Sequence, residues 1–226
     1  VAVEAFELLK RKSFSLAFIG SLAALLHDIG KSLSIYQSCL ISHENVCSYV
    51  AHEVFSAVII NKLFEIFPNL IPDKVLNELC KDFGIDRGDV VKMVMIPVLL
   101  HHQAMGDPLE RLDRFIKKYG DRIEISKELV HTMREAVEEF SNRTGVELGM
   151  KLSENHVNEL EKAVNHFVKT CRRKLEVLEI FRPPRDPDYS RKTLAKLITG
   201  VLIICDLRVA KRNRPSTPLP IYDNPA

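Results

Sequence analysis

Tryptophan is absent from the 226 residues, and tyrosine is held to five. Few rings are therefore available for base stacking. No Gly/Ser linker and no internal repeat divides the chain, and no Walker A loop is present, which argues against a helicase motor within it. No apolar stretch reaches the ~18 residues of a membrane span. The longest candidate, Leu194 to Val209, is broken by Lys196, Asp206 and Arg208. No basic, apolar, small-residue succession opens the chain, so no secretory signal is visible. The five cysteines, Cys39, Cys47, Cys80, Cys171 and Cys205, form no Cys-x-x-Cys pair. An odd count at irregular spacing points to reduced thiols and a cytoplasmic protein with no membrane role. Cys39, His43 and Cys47 recur at i+4, but Ile41-Ser42 reads as a helix start that would split such a zinc triplet.

What is present is the balance of a globular protein, 46% hydrophobic and 27% charged. The net charge of +2 is unevenly spread: Lys169 to Arg214 holds thirteen Lys/Arg against five Asp/Glu, so +8 there faces −6 elsewhere. A basic C-terminal third suggests a phosphate-rich partner, with Arg172, Arg173, Lys174, Arg208, Lys211 and Arg212 as candidate nucleic-acid contacts. The bland alternative is that these are solvated helix faces.

Helical periodicity dominates and alternating β-branched runs are scarce, which predicts an all-α fold. The expected helices span 1–12, 16–31, 43–67, 73–83, 89–102, 108–119, 126–142, 153–181 and 190–212. Residues 32–42 read as a loop with Ser42 as an N-cap. Pro97 is expected to kink its helix, and "RPPRDPD" at 182–188 to separate the last two. These predict one domain over 1–214 and an extended Pro-rich tail over 215–226.

Several polar residues sit where apolar runs end. His27 and Asp28 close the run in "LLHDIGK", about 100° apart on a helix, so one can ligate on each side of a metal cluster. A carboxylate can bridge two ions through its two oxygens. Lys31 lies one turn on, within reach of a bound phosphate. Equally, Gly30 could be a helix C′ residue and Lys31 a dipole partner. His52 stands in "AHEVFSA", with Ser56 one turn later. His101 and His102 end the apolar "MVMIPVLLHH", and two imidazoles there need partners if buried. Asp206 sits in "LITGVLIICDLR" and needs a cation, whether Arg208, another arginine or a metal.

These motifs, in this order from Leu25 to Arg208, resemble the HD phosphohydrolase superfamily. Within it, H-D-x-G-K, H-E-x-x-S-A and H-H are similar to the HD nuclease of type I CRISPR interference. The resemblance implies an HD-type helical bundle in which Asp28 bridges two divalent ions. His27 and Asp206 would hold the first; His52, His101 and His102 would hold the second. Lys31 would stabilise charge on the scissile phosphate, Ser56 would pack or support, and His43 would not ligate. The His-rich set suits Mn, Co, Ni or Fe, with Mg able to act. The family places a further histidine ahead of the first helix, shortly before a Val-Ala dipeptide. Val1-Ala2 opens this sequence, so that histidine has no counterpart here, which implies a weaker first site. The family's glycine after the paired histidines is also replaced, in "HHQAMG", which leaves substrate preference open.

The implied activity is metal-dependent hydrolysis of single-stranded DNA. The implied partners are a separate CRISPR-associated helicase subunit and an RNA-guided surveillance complex. A small-molecule nucleotide phosphohydrolase would use the same ligands but leave the basic third without a purpose. A non-catalytic HD docking module is the remaining alternative.

Overall fold

The computed structural model describes residues 1–42, 49–102, 106–170 and 189–213. Its elements are α1 (Ala2–Leu9), α2 (Phe14–Leu26), a 3-10 turn (Ile29–Ser32), α3 (Ser34–Ile41), α4 (His52–Ile66), α5 (Asp73–Phe83), α6 (Arg87–Leu100), α7 (Pro108–Tyr119), α8 (Glu128–Thr144), α9 (Glu154–Thr170) and α10 (Tyr189–Asn213). The fold is all-α. Pairing of extended backbone among the described residues is confined to an isolated antiparallel bridge between Leu33 and Ile125.

Helices α2, α4 and α6 form the centre. Leu16 to Ala24 of α2 are all buried, and so are His52 to Ile60 of α4. A helix buried on every side carries no polar stripe, which is why these segments read as nearly continuous apolar runs. By contrast α5, α7 and α9 are amphipathic and lay one face on that centre, as Leu112 and Phe115 of α7 do. Buried apolar side chains from all ten helices join one cluster. Phe14–Ser32 is long and apolar enough to cross a membrane, which corrects the expectation that no such stretch exists. However, 78% of its most apolar window is buried inside the bundle, as in a core helix.

The expected boundaries hold for α5 and α7 and fail around the first motif. Helix α2 stops at Leu26, and Asp28 adopts φ −103°, ψ 6°, a sparsely populated backbone region. Residues 32–42 are not a loop, because α3 forms there. Tyr36 is buried against the rings of Tyr49 and Phe115, and its hydroxyl donates to the Val50 carbonyl. Ser42 ends α3 as its C-cap and does not start the next helix. Helix α4 begins at His52, after Ala51 at φ 64°. Helix α6 continues through Pro97 to Leu100. Cys80 and Cys205 are free thiols, but Cys39 is disulfide-bonded, against the expectation of reduced thiols throughout. The rest of the Cys39 triplet, the 182–188 segment and the Pro-rich tail also lie outside the described residues.

Gly30 sets the distance between the 3-10 turn and α4. It is not a left-handed cap. Its amide donates to Ser56 Oγ at 2.8 Å, and a Cβ on it would lie 2.1 Å from the His52 carbonyl oxygen and 2.7 Å from Ser56 N. All these neighbours belong to a buried helix start with little freedom to move. Gly30→Ala is therefore expected to destabilise by about 1–3 kcal/mol, a fall in melting temperature of roughly 2–12 °C on thermal denaturation.

Candidate metal centre

Five elements bring their polar residues to one place. The C-terminal end of α2 supplies His27, and the turn after it supplies Asp28 and Lys31. The first residue of α4 is His52, and α6 ends just before His101 and His102. Helix α10 contributes Asp206. His27 Nε2 lies 3.3 Å from Asp28 Oδ2 and 3.6 Å from Asp206 Oδ1. His52 Nε2 lies 3.2 Å from Asp28 Oδ1. The His101 and His102 ring centroids are 3.9 Å apart, and His52 stands 5.6 Å and 5.0 Å from them. Ligand atoms of His52, His101 and His102 come within 4.8 Å of one another, as do those of His27, Asp28 and His101.

The three buried histidines are oriented in one way. Nδ1 of His27 donates to the Ala24 carbonyl at 2.8 Å, Nδ1 of His52 to Tyr49 at 2.7 Å, and Nδ1 of His101 to Val98. In each case the acceptor is three residues back, and a carbonyl can only accept, so Nδ1 must carry the proton. Every Nε2 is thereby turned inward and offers a lone pair when its ring is neutral, the arrangement by which outer hydrogen bonds orient metal-ligating imidazoles.

Nε2 of His27, His52 and His101, with Asp28 Oδ1, are buried and make no hydrogen bond. Uncompensated buried polar atoms are costly. A neutral His52 would face Asp28 lone pair to lone pair at 3.2 Å, which demands a positive charge between them, either a proton or a metal ion. The donor set of imidazole nitrogens and carboxylate oxygens suits a divalent transition metal. Asp28 turns one oxygen to His52 and the other to His27, so its carboxylate stands between the two groups.

Electrostatics divides the cluster. Burial and the neighbouring His102 push the His101 pKa down to about 3, so this ring stays neutral and able to ligate. Burial and nearby His52 lower His102 as well. For His27, burial disfavours the charged ring, but the Asp206 and Asp28 carboxylates outweigh it and raise its pKa. Burial also opposes ionisation of Asp28, and His52, His27 and Lys31 reverse that, holding it below the usual carboxylate range. Asp206 is lowered by its contact with His27. It is half-buried rather than buried, and its ion-pair partner is His27, not Arg208.

Lys31 lies at the mouth, its Nζ 2.7 Å from Asp28 Oδ2 and 5.3 Å above the Tyr49 ring. Ser56 is fully buried and serves packing through its bond from Gly30. Cys205 is buried in the core beside Asp206, and burial pushes its thiol up. Among the basic residues, Arg208 and Lys211 are exposed on α10, whereas Arg212 is paired with Glu4 of α1. Arg172, Arg173, Lys174 and His43 lie outside the described residues.

Sequence reasoning missed the pair behind the site. Arg111 of α7 and Glu53 of α4 are 4% and 1% exposed. Arg111 Nε donates to Glu53 Oε1 at 2.8 Å, and Nη2 sits 2.7 Å from the same oxygen. Its Nη1 donates to the His102 carbonyl at 3.0 Å, and Glu53 Oε2 lies 3.5 Å from His52 Nδ1. One buried ion pair thus braces both the His52 turn and the His102 peptide. The available signal was Arg111 at i−4 from Phe115, a charge on the apolar face of α7; its partner could not be read from the chain.

Compared with protein-family models, curated proteins and solved structures, the chain matches none.

Two outcomes are expected. Arg111→Met strands a buried carboxylate and should cost about 3–5 kcal/mol in urea denaturation, with Glu53→Gln/Arg111→Met recovering much of it. Ligation needs a neutral His27, whose raised pKa keeps its proton on below that pKa. Binding of Mn²⁺ should therefore release protons, and affinity should weaken as pH falls through the raised His27 pKa, above the ordinary imidazole range. Calorimetry in buffers of different ionisation enthalpy measures both.

Proposed function

We propose that the chain is a metal-dependent phosphodiesterase of the HD type that degrades single-stranded DNA. The observation that carries this is the inward set of buried Nε2 atoms on His27, His52 and His101, which make no hydrogen bond and are arranged about the split Asp28 carboxylate. His52, His101 and His102 would hold one divalent ion, and His27, Asp28 and Asp206 the other, with Mn, Co, Ni, Fe or Mg as the metal. When bound, such ions supply Lewis-acid polarisation of the phosphodiester and a nucleophile at neutral pH.

The protein's own groups do the rest. Asp28 holds the two halves of the site in register. Glu53 beside the His52 ring and Arg111 on the His102 carbonyl hold these two residues, so that ligands keep their directions without substrate. Lys31 offers a cation at the mouth for a non-bridging phosphate oxygen, exchanging its contact with Asp28 for one with substrate. Arg208 and Lys211 would steer a strand by its backbone, giving salt-sensitive, sequence-tolerant binding. Few aromatics and no motor motif in the chain make a helicase subunit and an RNA-guided surveillance complex the partners that would deliver the strand, in cytoplasmic antiviral defence of the CRISPR type.

Incubation with circular single-stranded DNA and Mn²⁺ tests this directly. The wild-type protein is expected to linearise and degrade the circle. Asp28→Ala should lower the rate by at least about a hundredfold, since even hydrogen-bonding neighbours of metal ligands are worth 10–100-fold. Turnover of free nucleotides with no cleavage of the circle would support the small-molecule phosphohydrolase. Metal binding with neither activity would support a docking module.

A further inference from the structure

A second concavity opens beside the metal centre. It runs between the 3-10 turn and α8, with a volume of about 340 Å³. Asp28 and Lys31 line its inner end, so it is continuous with the site. Much of its lining is apolar, from Leu25 and Ile29 on one side and Leu129, Met133 and Ala136 of α8 on the other, with Gln37 and Glu128 also lining it. Tyr49, whose ring lies under Lys31 Nζ, stands at the junction of the two spaces. Leu25 is one of two α2 residues not fully buried, because its side chain gives onto this opening.

The far wall is held firmly. Ser126 N donates to Ser32 O at 2.9 Å, and Ser34 N to Glu124 O at 2.8 Å, stitching the segment before α8 to the 3-10 turn. Asn165 of α9 clamps Ile123 through both its backbone groups, and Glu161 accepts from Ile125 N at 3.0 Å. The opening is therefore built into the packing and is no gap left by a loose loop.

Its size sits at the low end of the ~300–1,000 Å³ typical of small-ligand sites, which suits one planar group and not a protein segment. A phosphodiester held at Asp28 and Lys31 carries a nucleoside on each side. An apolar slot directly adjoining that phosphate position matches the chemistry of a base, which has apolar faces and is costly to leave unstacked in water.

We propose that this cleft is a base subsite: it receives the nucleobase next to the scissile phosphate, between Leu25 and Ile29 on one side and Leu129 and Met133 on the other. The inference rests on the phosphodiesterase reading above. It makes the cleft select for single strands, because a base can enter only when it is out of a duplex stack.

The test compares a single-stranded DNA oligonucleotide with a fully abasic strand of the same length, in Mn²⁺. Wild-type protein, Ala136→Trp and Thr132→Trp are assayed side by side, with melting temperatures recorded. Both substitutions enter the cleft from α8 and replace neither a proposed metal ligand nor Lys31; Thr132 is exposed at its rim, so its replacement spares the core. The wild type is expected to cleave the base-bearing strand about tenfold faster in kcat/KM, within the range that base stacking supplies. Both variants should lose that advantage and leave the abasic rate within about twofold.

Equal wild-type rates on the two strands overturn the inference and leave hydrolysis standing. So do variants that keep the full preference, or variants that melt normally but lose both activities equally. A wild-type protein that hydrolyses free deoxynucleoside triphosphates and cuts neither strand overturns it as well. A wild type inactive on every substrate defeats the hydrolytic reading, and this one with it.

Discussion

The site depends on how closely two pieces of backbone can approach. The turn carrying Asp28 reaches the start of α4 because residue 30 has no side chain, and the gap is closed by the Gly30 amide on Ser56 Oγ at 2.8 Å. That one contact places Asp28 Oδ1 within 3.2 Å of His52 Nε2. Without it, the halves of the centre would sit on separate helices with no fixed spacing. It also explains the conformation of Ala51, whose left-handed backbone turns the chain into α4 just where the Tyr49 carbonyl must meet His52 Nδ1. Such strain in a non-glycine residue persists where surrounding packing over-determines it, and Ala51 is fully buried.

Around that contact the protein concentrates buried imidazoles and carboxylates. Three imidazoles donate on one side to the backbone three residues before them and turn Nε2 inward on the other. Two carboxylates stand among them, and a third, Glu53, is neutralised by Arg111 from behind. The arrangement has opposite consequences for neighbouring rings: His27, next to carboxylates, is favoured as a cation, whereas His101, among other imidazoles, is held neutral. A divalent ion would satisfy both conditions at once, taking the place of the proton on the first and using the lone pair of the second.

The surroundings of the centre are asymmetric. On one side α10 carries exposed cations past Asp206; on the other an apolar cleft begins at Lys31. The cations lie on the helix that carries Asp206, and the cleft adjoins Asp28, so the two surfaces flank the cluster at different carboxylates.

The sequence by itself determined the helical class, because buried helices leave unbroken apolar runs and surface helices leave stripes, and it marked the unusual residues, because His27, Asp28, His52, His101, His102 and Asp206 interrupt those runs. Helices α5 and α7 were legible to their ends, having proline or glycine punctuation and strong amphipathy. The turn after Leu26, the existence of α3 and the start of α4 at His52 were not. Each is decided by a distant contact: Gly30 on Ser56, Tyr36 on Val50, Tyr49 on His52. The partner of Asp206 and the Glu53–Arg111 brace were likewise settled only in three dimensions. A sequence records which residues are costly to bury, but which of them share that cost depends on which helix ends meet.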